Sequence, residues 1–79
     1  MSTMIKKQTV LDLRAELGID QQVLADEANV SRPAISRIEH GLKTTERTTK
    51  RVLYAINRLR KARGWPEVAY DDIDWPPVR

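Results

Sequence analysis

Residues 20–41 read Asp20-Gln-Gln-Val-Leu-Ala-Asp-Glu-Ala-Asn-Val-Ser-Arg-Pro-Ala-Ile-Ser-Arg-Ile-Glu-His-Gly41. The stretch predicts two short helices joined by a tight turn. Asp20 and Ser31 are good N-cap residues, each standing just before an apolar period. Leu24, Ala25 and Ala28 fall on one side of the first helix. Ile35, Ile38 and Leu42 form the packing stripe of the second, which Gly41 is expected to end. Asn29 sits where the chain must reverse, and Asn tolerates the left-handed conformation better than most residues. Pro33 falls in a first helical turn, where a missing N–H has no intrahelical partner to lose. The Ser31 hydroxyl is then expected to accept from the amide of Ala34. Opposite the packing stripe, Arg32, Pro33, Ser36, Arg37 and His40 project together.

Outward from this pair, Thr9 offers an N-cap with Asp12 three residues on, a weak variant of a capping box. Val10, Leu13 and Leu17 then repeat at helical spacing up to Gly18. A longer helix is expected from about Thr45 to Arg63, with Val52, Leu53, Ile56 and Leu59 as its stripe and Gly64 closing it. Met1 to Gln8 is polar and basic without a period, which predicts a flexible arm. Residues 64–79 differ in kind, holding both Trp, one of the two Tyr, three of the four Pro and four acids. No internal repeat or hairpin signal appears. The expected architecture is all-α: an arm at 1–8, a four-helix domain at 9–63 and an extended, acidic Trp/Pro-rich tail at 64–79.

Seventy-nine residues make one small domain, near the lower size limit for an unstapled core. The absence of Cys excludes disulfides and thiolate metal sites, and one His cannot build a zinc site. No metal or cofactor is expected. No apolar run approaches the ~20 residues that span a bilayer, and no signal-peptide pattern is present, so a cytoplasmic protein is expected. The net charge of +3 is unevenly spread. Residues 1–30 carry three basic and five acidic side chains, residues 31–63 ten and two, and residues 64–79 one and four. A central basic block flanked by acidic segments is the footprint of a surface for a polyanion.

The residues Gly18-Ile19-Asp20-Gln21, Leu24-Ala25, Val30-Ser31 and Ile35-Ser36-Arg37-Ile38-Glu39-His40-Gly41 resemble the phage repressor/Cro helix-turn-helix family, the lambda-repressor-like DNA-binding domains. The resemblance covers roughly residues 9–60. Asn29 replaces the usual glycine of the turn, and Asp20 stands where Ser, Thr or Asn is common. What the resemblance implies is a helix 32–40 that enters the major groove of double-stranded DNA. Arg32 and Arg37 are then the candidates for bidentate contact with guanine, Ser36 for a base hydrogen bond, and Pro33 for a thymine methyl. Gln21, His40, Lys43, Thr44 and Arg47 are the candidate phosphate contacts. The resemblance also implies an ion pair between Arg14 and Glu39.

The tail is similar to the endings of helix-turn-helix proteins from actinobacteria and their phages, through Lys61-Ala62-Arg63-Gly64-Trp65 and Ala69-Tyr70-Asp71-Asp72-Ile73-Asp74. Trp65, Val68, Tyr70, Ile73 and Trp75 are expected to cover the open side of the last helix, with the tail acids holding Lys61 or Arg63. A strip for a protein partner, formed by Trp65, Tyr70 and Trp75, uses the same residues. Three functions stay open: a phage or mobile-element repressor or Cro-like switch, acting as a homodimer on an operator; an antitoxin whose tail binds a toxin; and an interaction module that keeps the fold without DNA. An enzyme is not expected, because Ser36 and His40 have no catalytic carboxylate, metal cluster or phosphate loop beside them.

Overall fold

The computed structural model describes residues 7–79. Its helices are α1 (Val10–Leu17), α2 (Gln21–Ala28), α3 (Arg32–Glu39) and α4 (Glu46–Ala62), followed by a 3-10 turn at Tyr70–Asp72. Each start is set by a side chain that accepts an amide the helix cannot pair. Thr9 accepts from Asp12 N, and the Asp12 carboxylate returns the bond to Thr9 N, completing the capping box. Asp20 accepts from Val23 N, Ser31 from Ala34 N and Thr45 from Thr48 N. The last helix is therefore one residue shorter at each end than expected, Thr45 and Arg63 being its caps.

The ends are equally local. Gly41 takes φ +74, and Asn29 is the single described non-glycine residue at positive φ, at 56. After α3, Gly41 N donates to Ile38 O and Leu42 N to Arg37 O, the paired bonds of a Schellman ending. This corrects the reading of Leu42. Once the backbone turns left-handed at Gly41, helical spacing no longer applies, and Leu42 leaves the packing stripe to stand 51% exposed.

The core is centred on Leu13, Leu24, Ile35, Val52 and Ile56, all fully buried, with α2 packed chiefly on α4 and α3. Residues 64–79 run back along α4. Ile73 is buried in the same core, and Val68 and Trp75 pack against it. Burying one such side chain stabilises by about 1.5–3 kcal/mol. Polar bonds fix the route: Asn57 and Val68 exchange two hydrogen bonds, and the Tyr70 hydroxyl meets Thr49 Oγ1 at 2.9 Å. Tyr70 stacks on Trp75, whose indole N–H donates to Tyr70 O. Parallel bridges join Gln8 to Ile73 and Thr44 to Val78. Gln8 is thus held in place, while positions 1–6 of the expected arm lie outside the described residues.

The tail acids do not take the partners expected of them. No ion pair among the described residues involves Glu67, Asp71, Asp72 or Asp74. Arg63 lies over the Trp65 ring instead, 5.2 Å from its centroid, and the Asp72 carboxylate accepts from Ala69 N.

Candidate nucleic-acid interface

The orientation of α3 follows from its two faces. Ile35 and Ile38 are sunk into the core, so Arg32, Pro33 and Arg37 on the other side stand exposed. A part-buried cluster locks the helix in that orientation. Arg14 Nε donates to Glu39 Oε2 at 2.6 Å and Arg14 Nη2 donates to Oε1 at 3.1 Å, a bidentate pair joining α1 to α3. The two side chains are 17% and 5% exposed. Gln21 adds a third bond, Nε2 to Glu39 Oε1 at 2.8 Å, and ties in α2. Burial pushes the Glu39 carboxyl up, but hydrogen bonds from Arg14 and Gln21 outweigh it, and its pKa lies below the ordinary value. The Arg14 guanidinium is raised, chiefly by its hydrogen bond to Glu39.

Gln21 therefore has a structural bond that its sequence position did not reveal. Its amide carries two N–H donors, and the second is still available to a phosphate oxygen. Gln21, Arg32, Pro33 and Ser36 line one depression of about 240 Å³ at the start of α3. Arg37, Lys43 and Thr44 line another, beyond the middle of the helix, together with Thr48 and Arg79. His40 lies next to Ser36: its Nδ1 is 2.8 Å from Ser36 O and 3.5 Å from Ser36 Oγ. A carbonyl only accepts, so Nδ1 carries the proton and Nε2 is the atom left for another partner. Arg47 is exposed in the first turn of α4 and lines neither depression. The nine candidate residues thus fall into two adjoining groups, with His40 attached to the first and Arg47 apart.

The cations of the central basic block, Lys61 and Arg63 apart, divide in two. Arg51 donates to Asn29 O, Arg58 to Glu27 O and to the Glu27 carboxylate, and Lys50 pairs with Glu46. Arg60 is 9% exposed, with Nη1 2.6 Å from Glu16 and Nε 2.8 Å from Pro66 O, and its guanidinium lies over Trp65. By contrast Arg32, Arg37, Lys43 and Arg47 make no side-chain hydrogen bond or ion pair among the described residues. Unneutralised cations in a water-exposed row raise the local positive potential where a polyanion would lie. Among the described residues no cluster of His, Cys, Asp or Glu has the makings of a metal site. No helix is long and apolar enough to cross a membrane.

Sequence reasoning missed Arg79 and Thr48, which belong to the second depression. No periodicity or motif links position 79 to position 44. Only the backbone pairing of Thr44 with Val78 brings them together. A family model described as Helix-turn-helix matches residues 10–59, from the first helix to near the end of the fourth. No curated protein and no solved structure matches the chain.

Proposed function

The chain belongs to the helix-turn-helix family of DNA-binding transcription regulators, and we propose that within it this protein is a sequence-specific repressor or Cro-like switch of a phage or mobile element. In this reading α3 lies in the major groove of an operator. Arg32 and Arg37 contact guanine O6 and N7, Ser36 bonds a base edge, and Pro33 meets a thymine methyl. Gln21, His40, Lys43, Thr44 and Arg47 hold the phosphates on either flank and set the register. The observation that carries the proposal is the contrast in partnering. Arg51, Arg58 and Arg60 are committed to protein acceptors, while Arg32 and Arg37 are exposed without one. An interaction module that had lost DNA would have no reason to leave both arginines of α3 without an acidic partner.

The aromatic tail favours the regulator over an antitoxin. Tyr70 and Trp75 stack on each other, and Trp65 lies beneath Arg60 and Arg63, so these rings are engaged within the chain. One recognition helix reads only a few base pairs, so the operator is proposed to be an inverted repeat bound by two copies. Its half-site centres would lie about 10 base pairs apart. Selection of bound duplexes from a random pool tests the reading. The expected product is a recurring sequence with two inverted halves; a pool that enriches nothing rejects sequence-specific binding.

A further inference from the structure

The second depression beside α3 contains a residue from the far end of the chain. Thr44 N donates to Pro77 O at 3.0 Å, and Arg79 N donates to Thr44 O at 3.0 Å. These two bonds clamp 77–79 onto the segment that follows the recognition helix. Trp75, packed on the core, and the prolines at 76 and 77, with their fixed φ, deliver the strand in one direction. As a result Arg79 joins Arg37, Lys43, Thr44 and Thr48 around a depression of about 200 Å³ that no carboxylate side chain lines. The Arg79 side chain is exposed and makes no hydrogen bond, ion pair or ring contact among the described residues.

The tail's charge pattern agrees with this placement. Its four acids lie between positions 67 and 74, and none of them lines the depression. Arg79, the one basic residue of 64–79, is the one delivered to the recognition face. A tail that served only to cover α4 would end its task at Ile73, Trp75 and the buried Pro76. Here it continues, pairs with Thr44 and presents a guanidinium next to two unneutralised cations.

We propose that residues 77–79 form part of the DNA interface, with Arg79 contacting a backbone phosphate beside those of Lys43 and Thr44. The strand is held before DNA arrives, so little ordering entropy opposes the contact. A phosphate contact adds affinity on every sequence and carries no base preference. The inference rests on the DNA-binding reading above and deepens it.

The test uses the full chain and a duplex carrying the selected operator, with affinity measured between about 50 and 200 mM salt. Arg79→Ala is expected to make the log–log salt slope shallower by about 0.9, so that its affinity deficit shrinks about threefold across that range. The deficit should be equal on a panel of single-base operator variants. Arg79→Lys should restore the slope. Lys61→Ala removes the same charge about 25 Å along α4 from Thr45 and should leave the slope unchanged. A wild-type slope in Arg79→Ala overturns the proposal, as does an equal change in Lys61→Ala, which would reduce Arg79 to its share of net charge. If the wild type binds no duplex at all, the DNA-binding reading itself falls, an outcome distinct from failure of Arg79 alone.

Discussion

The arginines of α3 and three of the four arginines of α4 meet opposite fates in this molecule, Arg47 in the first turn of α4 siding with α3. On α4 the guanidinium groups of Arg51, Arg58 and Arg60 bond to carbonyls and carboxylates at α1, α2 and the tail. On α3 Arg32 and Arg37 have no such acceptor and face water. The difference shows that a basic stretch of sequence is two things at once. Part of it is framework, tying α4 to acceptors on the neighbouring elements. The rest is a surface whose charge can be neutralised only from outside. Counting cations does not separate the two; tracing their partners does.

If the α4 side is framework, its changes should register in stability. The largest effect is expected at Ile73, where the tail enters the core at 3% exposure. Ile73→Ala should cost about 2–3 kcal/mol, lowering Tm by about 10 °C or more. An unchanged melting curve would mean that the tail is not part of the folded unit in solution. Arg60→Ala comes next, at about 1–2 kcal/mol, since it removes the part-buried bond to Pro66 O and the guanidinium packed over Trp65. Should Arg60→Ala leave Tm intact and weaken DNA binding instead, the division between the two helices breaks down.

The cluster that aims α3 gives a smaller, pH-dependent effect. The folded pKa of Glu39 is depressed. Its contribution is therefore complete above the ordinary glutamate range and is lost as pH falls through the lowered folded value. Urea unfolding followed down an acid series should show stability declining in that window, and Glu39→Gln should flatten this part of the decline. A profile identical in the variant would show that the pair adds no linkage. Smallest of all is Lys43→Ala, which should change stability by less than about 0.5 kcal/mol. Its effect should appear as a salt slope shallower by about 0.9, nearly uniform across sequences.

The α2–α3 unit was legible because its signals are local. Asp20, Asn29, Ser31 and Pro33 each act on atoms within a few residues, and all four behave as their chemistry dictates. Leu42 was misread because one left-handed residue, Gly41, ends the periodicity that placed it. The tail's apolar residues announced a packing role, yet its course depends on bonds between distant positions, such as Asn57 with Val68 and Thr44 with Pro77 and Arg79. Arg60 illustrates the same limit. By sequence it is one more cation on a basic helix, and only the fold reveals Glu16, Pro66 and Trp65 around it. The bond of Gln21 to Glu39 was hidden for the same reason.

The central claim is that the unpartnered face of α3 reads bases, and Arg37 tests it most directly. Wild type and Arg37→Ala should be compared by competition on the selected operator and on every single-base variant of it, with thermal unfolding measured alongside. The expected result is a loss of about 1–3 kcal/mol on the preferred site, with selectivity relaxed at one base pair per half-site and Tm unchanged. An equal loss on every sequence would make Arg37 a phosphate contact, and no loss on any would contradict the assignment of this face to DNA.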